Sequence, residues 1–325
     1  MNMFFRCKHV APRGTDAWTK CGFALHLTLT SAAKEFREHK GDHVVFALEG
    51  GNSWRKSFYP PYKRHRAEAR AALNEEQVEE DAMFFKAYDD MVEFLNRKSN
   101  CTVLSTPNTE GDDVIARWVQ THPDDEHVIV SNDTDFVQLL APNVTQYNGT
   151  AKNLLTINGI FDDKGQPVFD KKTKQLKETP DPVWELFYKC IRGDKTDNVF
   201  SAFPGARVKG TKNKVGIREA YEDRVSQGYN WNNFMLQRWV DHMDVEHRVM
   251  DDYNRNITIV DLTQQPDNIK DAMDNTIAEA YAKAPVPMVG AHLLKFCGKY
   301  ELSNVAKYAD RYTDFLNAKL PDLKA

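Results

Sequence analysis

Three short apolar segments, HVVFALE (43–49), CTVLST (101–106) and EHVIVSND (126–133), each run into acids and are separated by stretches of helical spacing. Strands alternating with helices point to an α/β fold with a parallel sheet. The first segment ends at Glu49, the second leads into Glu110, Asp112 and Asp113, and the third ends at Asp133 and Asp135. In an open parallel sheet the ligand crevice lies beyond the carboxyl ends of the strands. These acids are therefore expected along one edge. Asp194 and Asp197, in RGDKTDN, are placed at the end of a predicted helix at i, i+3 spacing and are expected to face the same side. So many carboxylates in one place repel, and some would take up protons unless cations compensate them. Mg²⁺ prefers oxygen ligands and keeps several waters, which suits an acidic crevice. Two such ions about 3.5–4 Å apart would form a phosphodiester hydrolysis site. Taken singly, each acid has a plainer alternative as a solvated loop or cap residue. Asp112 and Asp113, in a first helical turn, would suit the helix dipole in any case.

Around these segments the pattern predicts a helix over 17–39, a break at the proline pair of FYPPYKRHR, and a helix over 67–97 carrying Phe84, Phe85, Tyr88 and Phe94. GDDVIARWVQ opens another helix and DFVQLL a short one. LLTINGIFDDKGQPVFD reads as a hairpin or a long excursion with DDKG as its turn. From Pro182 onward the pattern is mostly helical, which suggests two domains, 1–181 and 182–325. His122, His127, His242 and His247 pair at i, i+5, wrong for two ligands on one helical face, and read as surface residues. Trp231 and Trp239 read as core, and residues 245–325 as packing.

Lys plus Arg number 43 against 47 Asp plus Glu, a formal charge of −4, so no global basic charge announces nucleic acid. The local distribution is more telling. Residues 54–70 hold Arg55, Lys56, Lys63, Arg64, Arg66 and Arg70 against one Glu, and residues 205–218 hold Arg207, Lys209, Lys212, Lys214 and Arg218 with no acid. An acidic focus flanked by two basic segments is the informative feature, although each basic segment taken alone could be a solvated loop. No apolar run approaches the roughly 18 residues needed to span a bilayer, and MNMFFRCKHV lacks the apolar core of a signal peptide. The five cysteines form no CxxC pair and fit free thiols in a cytoplasmic protein.

The segments FALEGGNSWRKSFYPPYKRHR (46–66), EGDDVIA (110–116), VIVSNDTDFVQLLAPNV (128–144) and GDKTDNVFSAFPG (193–205), in this order and spacing, resemble the 5′ nucleases. That family includes flap endonucleases, the 5′-nuclease domain of bacterial DNA polymerase I, and above all the 5′–3′ exonucleases and ribonuclease H enzymes of tailed phages. The resemblance covers roughly residues 1–220. It implies a PIN-like α/β domain with a helical arch, followed by a helix–three-turn–helix region. It implies that Glu110, Asp112 and Asp113 serve a first metal, and that Asp133, Asp135, Asp194 and Asp197 serve a second. Glu49 takes the place of a family Asp, one methylene longer. Lys63 and Arg66 match basic residues at the base of the arch that hold the scissile phosphate. Arg64 belongs to the same nucleic-acid-binding segment, and Tyr62 offers a ring on which a base could stack. Arg207, Lys209, Lys212 and Lys214 lie where the family has its duplex-binding turn, with glycines that let phosphate approach the backbone. The family begins with a strand ending in a metal-ligand Asp, and Asn2–Arg6 match the residues immediately after that Asp. An upstream in-frame extension supplying this strand is therefore expected; otherwise the product lacks one strand and one first-metal ligand.

The expected activity is that of a Mg²⁺-dependent 5′–3′ exonuclease and flap endonuclease using two ions, with Mn²⁺ able to substitute. Expected substrates are branched or nicked DNA and RNA–DNA hybrids, including primers removed during phage DNA replication. The protein is expected to be a monomer off the membrane, in the host cytoplasm if phage-encoded, with single-strand-binding protein or the replication machinery as partners. Two alternatives remain open on the sequence: a structure-specific DNA-binding protein with a crippled metal site, and a PIN-like ribonuclease acting on RNA alone.

Overall fold

The computed structural model of the chain describes Phe4 and residues 14–321. The expected gap in the first strand concerns the extreme N-terminus and lies outside the described residues. In chain order the helices are α1 (Ala17–Glu38), α2 (Trp54–Phe58), α3 (Arg64–Ala71), α4 (Glu75–Lys98), α5 (Gly111–Thr121), α6 (Pro182–Arg192), α7 (Ile217–Glu222), α8 (Tyr229–Met235), α9 (Val249–Val260), α10 (Asp267–Tyr281), α11 (Val289–Lys299), α12 (Ser303–Lys307) and α13 (Asp310–Asn317). The strands are β1 (Val45–Ala47), β2 (Thr102–Leu104), β3 (His127–Val130), β4 (Val144–Asn148), β5 (Asn153–Thr156), β6 (Gly159–Asp162), β7 (Arg238–Val240) and β8 (Glu246–Arg248).

The chain divides into two units that interleave in sequence. One takes the N-terminal residues to Asn52, Ala69–Asp124 and everything from Asp267; the other takes Ser53–Glu68 and Asp125–Pro266. This differs from the single cut expected after residue 181. The reason is the C-terminal helices: Val289, Leu293, Phe296, Phe315 and Leu316 share one buried cluster with Leu25, Leu29, Phe84 and Phe94.

In the first unit, α1 begins at Asp16, whose carboxylate accepts the Thr19 N–H at 2.9 Å as an N-cap. Cys21, Ala24, Leu25, Thr28 and Leu29 recur at helical spacing and are buried. They meet the matching stripe of α4, Phe84, Ala87, Tyr88, Met91, Phe94 and Leu95. The helix expected over 67–97 is in fact two helices. Asn74 forms a reciprocal capping box with Gln77 (2.9 and 3.1 Å), so a new helix starts there. β1 and β2 pair in parallel, with Phe46 opposite Val103. His122, expected at the surface, is 4% exposed. Its ring stacks on Trp118 one turn earlier, centroids 3.9 Å apart, and its Nε2 meets the Tyr281 hydroxyl at 2.8 Å.

In the second unit, β3 pairs in parallel with β4, and β4, β5 and β6 continue as an antiparallel meander. Among the described residues β3 therefore belongs to a different sheet from β1 and β2. The polar-looking VTQYN segment supplies its partner through buried Val144, Gln146 and Tyr147. The β5–β6 turn is at Ile157–Asn158, because Thr156 pairs with Gly159. DDKG forms the next turn, closed by Gly165 N–H donating to Asp162 O at 2.9 Å. Downstream, α6, α7, α8 and the start of α9 bury Phe187, Ile191, Ile217, Trp231, Phe234 and Val249 together. Arg55, 1% exposed, donates from Nε to the Ile259 carbonyl at 2.7 Å, and its guanidinium lies over the Trp54 ring. The chain thus folds as a mixed α/β structure with parallel strand pairs and many helices, and no helix among the described residues is long and apolar enough to cross a membrane.

Candidate active site

Three carboxylates of the second unit come together. Asp135, Asp194 and Asp197 each place an oxygen within 4.8 Å of the others, the one such group of metal-ligating side chains among the described residues. Local structure delivers each. Asp135 lies in a short 3₁₀ turn, Thr134–Leu139, just past β3. Asp133 caps that turn, its Oδ1 accepting the Asp135 N–H at 3.0 Å, and so positions Asp135 rather than joining the three. Asp194 and Asp197 do not sit on a helix end as expected. Gly193, at φ +72°, terminates α6, and a Cβ there would lie 2.3 Å from the Val199 carbonyl. The backbone then closes a tight turn in which Asp194 and Val199 exchange two hydrogen bonds of 2.8 Å. The acids converge through this turn, not through helical periodicity.

Three cations face them. Lys189 of α6 ion-pairs with Asp135 and lies 2.7 Å from Asp194 Oδ2. Arg66 reaches Asp197 at 2.7 Å, and the Lys63 ammonium lies 3.4 Å from the same carboxylate. Lys63 adopts a left-handed φ of +51°, and its own N–H donates to the Asp197 carbonyl at 2.8 Å. The Tyr62 hydroxyl donates to Asp197 at 3.2 Å. Tyr62 is 4% exposed, so it does not offer the stacking face expected of it; its ring packs beside Tyr59 and Ile259 instead. Arg64 is exposed and turned along its own helix toward Glu68 at 3.0 Å.

The electrostatics result from partial burial. Burial pushes the Asp135 carboxyl up, and the Asp133 charge adds to this against the pull of Lys189. Burial also opposes ionisation of Asp194, but hydrogen bonds from Lys189 and Thr196 hold its carboxyl down at about 2. For Lys189, burial alone would lower the ammonium; the charges and hydrogen bonds of Asp135 and Asp194 outweigh it and raise it. Sequence reading missed Lys189. Its only signal was a lysine beside buried Cys190, on a helix running into two acids.

The remaining acids belong to the first unit. Glu49 is exposed just beyond β1, and a Cβ added at Gly111 would lie 3.9 Å from its Oε1. Asp113 is fully buried and accepts the Glu110 N–H at 3.0 Å; Glu110 is 7% exposed and Asp112 half-buried at the start of α5. These four do not form a group as tight as Asp135, Asp194 and Asp197.

The second basic segment is a built turn. Ile217 and Arg218 N–H groups donate to the Arg207 and Val208 carbonyls, both at 2.9 Å, and Thr211 N–H donates to Lys214 O at 2.7 Å. Glu219, which sequence reading also missed, accepts from the N–H groups of Gly210 and Gly216 at 2.9 Å each. Without these clamps two mobile glycines would flank the lysines. Arg207, Lys209, Lys212 and Lys214 all project from it into solvent.

The chain is 28% identical over 184 residues to the flap endonuclease Xni of Pseudoalteromonas translucida, spanning 56% of this chain and 60% of that protein. It is 28% identical over 182 residues to DNA polymerase I of Rhizobium leguminosarum, spanning 55% of this chain and 15% of the polymerase. The chain thus spans less than two thirds of the length of these relatives. Its fold matches the bacteriophage T5 D15 flap endonuclease solved as a complex with DNA and metal ions, with TM-score 0.56 and 19% identity over 87% of this chain and 97% of that one. Residues 2–165 match the model of the 5′–3′ exonuclease N-terminal resolvase-like domain, and the chain belongs to that family.

Proposed function

We propose that this protein is a divalent-metal-dependent 5′ nuclease that cleaves branched or nicked DNA and the RNA of RNA–DNA hybrids. The observation that carries this reading is the Asp135–Asp194–Asp197 cluster with Lys63 and Arg66 held against it. The donor set is all carboxylate oxygen, partly buried and close enough to share one ion, which fits a hard cation such as Mg²⁺. Asp135, Asp194 and Asp197 would hold one ion, and Glu49, Glu110, Asp112 and Asp113 are assigned to another. Bound ions would supply an activated water and charge stabilisation at the leaving oxygen.

The chain's own residues do the rest. Lys63 and Arg66, held beside the carboxylates, bind the non-bridging oxygens of the scissile phosphate; the guanidinium suits a bidentate contact. They also stabilise charge that builds on those oxygens as the bond breaks. Asp133 keeps Asp135 in place through its cap. Arg207, Lys209, Lys212 and Lys214 hold the downstream duplex by its phosphates, independent of sequence. Acting on primers and flaps, such an enzyme would serve DNA replication or repair, and phage replication is the setting we favour. The test is a cleavage assay on 5′-flap DNA, blunt duplex and single-stranded RNA, with Mg²⁺ or with chelator. Mg²⁺-dependent flap cleavage is expected. Binding without cleavage, or cleavage of RNA alone, would overturn the reading.

A further inference from the structure

We infer that Lys189 is a resident cation of the acidic cluster, occupying the space between Asp135 and Asp194 until a divalent ion displaces it. The inference rests on the metal reading above and goes beyond it by assigning a competitor. Lys189 touches two of the three clustered acids at once, so its ammonium lies among the oxygens a metal would need. The third acid, Asp197, is neutralised separately by Lys63 and Arg66. Three carboxylates thus face three side-chain cations. Side chains at this site are largely buried, with Lys189 at 23%, Asp135 at 18% and Asp194 at 13% exposed. Stripping away Lys189 would leave Asp135 and Asp194 desolvated and without their counter-charge.

A divalent ion brings two charges where Lys189 brings one. Lysine is suited to yield, being a point charge on a flexible four-carbon stem. The ammonium can leave the carboxylates by rotating that stem while α6 stays fixed through buried Phe187, Cys190 and Ile191. Once displaced it remains near the site, available to a phosphate oxygen. Metal entry would therefore exchange an internal cation for an external one and release a phosphate-binding group in the same step.

The test compares thermal unfolding and Mn²⁺ binding by calorimetry for wild type, Lys189→Met and Lys189→Arg, with Asp135→Asn as the control that lacks a ligand. In chelator, Lys189→Met should melt below wild type, because Asp135 and Asp194 lose their counter-charge, and Lys189→Arg should recover most of that loss. Mn²⁺ should raise the melting temperature of Lys189→Met more than that of wild type. Its affinity should tighten about tenfold, the effect of removing one close charge. Should Lys189→Met fail to fold without metal, Lys189→Gln offers a neutral side chain that still donates a hydrogen bond. Equal Mn²⁺ affinity and equal stabilisation in wild type and the neutral variants would overturn the inference while leaving the metal site standing. Absence of any Mn²⁺ effect in wild type and variants alike would overturn the metal reading and the inference with it.

Discussion

Lys63 contacts Asp197 twice: its backbone N–H donates to the Asp197 carbonyl at 2.8 Å, and its ammonium lies 3.4 Å from the Asp197 carboxylate. The same residue bears a left-handed φ of +51°, so backbone and side chain turn together toward the acids. The middle of the first basic segment is thereby fixed to a candidate metal ligand. Lys63→Ala should lower saturated turnover by about 10²–10³, as expected for removing one donor to developing charge. Single-turnover cleavage at saturating enzyme measures this. A variant that only weakened substrate binding, with saturated turnover unchanged, would remove Lys63 from the chemistry.

Gly193 sets where Asp194 points. Gly193→Ala combines an unfavourable left-handed φ with a Cβ 2.3 Å from the Val199 carbonyl. The backbone strain alone should cost about 1–3 kcal/mol, and the clash adds to it. Urea unfolding should show the loss, and Mn²⁺ binding should weaken in parallel because the Asp194–Val199 turn is displaced. Wild-type metal affinity in a destabilised variant would show that the turn does not position the acids.

The basic turn should act on binding rather than chemistry. Lys212→Ala and Lys214→Ala should each reduce the slope of log affinity against log salt by about one unit for duplex substrates. Glu219→Ala should mimic them by loosening the turn, since it unlatches both Gly210 and Gly216. Saturated turnover should be preserved in all three. Salt titrations by fluorescence anisotropy check the slopes.

Stability should fall in mild acid through His43. Burial pushes its imidazole below the ordinary value of about 6.5. Its Nδ1 faces the Ala318 carbonyl at 3.0 Å and so donates, leaving Nε2 to accept from the Thr102 hydroxyl at 2.8 Å. A lowered folded pKa means the unfolded chain binds the proton first as pH drops. His43 thus costs no stability above the ordinary imidazole range and a growing amount below it, levelling off beneath the folded value. Denaturant midpoints across mild acid should drop more steeply for wild type than for His43→Gln; parallel curves would contradict this.

Much of the fold and site is legible where local signals are strong. Asp16 and the apolar period from Cys21 to Leu29 define α1 unaided, and the acids that end the third strand segment single out Asp135, which the fold brings beside Asp194 and Asp197. Asn74 and Gln77 spell a capping box that a long amphipathic pattern conceals. His122 misleads because the relevant spacing is to Trp118 one turn back, not to His127. Asp194 and Asp197 come beside Asp135 through a turn rather than a helix end, since a left-handed glycine and a two-bond turn leave little trace in residue spacing. Lys189 is invisible for a different reason. Its meaning lies entirely in partners 54 and 5 residues away that only the folded chain brings together.

The most direct test of the account is single-turnover cleavage of 5′-flap DNA in Mg²⁺ by Asp194→Asn, with flap affinity measured alongside in Ca²⁺. If Asp135, Asp194 and Asp197 form the catalytic metal site, cleavage should fall by at least about 10³-fold while flap affinity stays within about tenfold, because the phosphate-binding residues remain in place. A variant that cleaves near the wild-type rate would contradict the metal assignment.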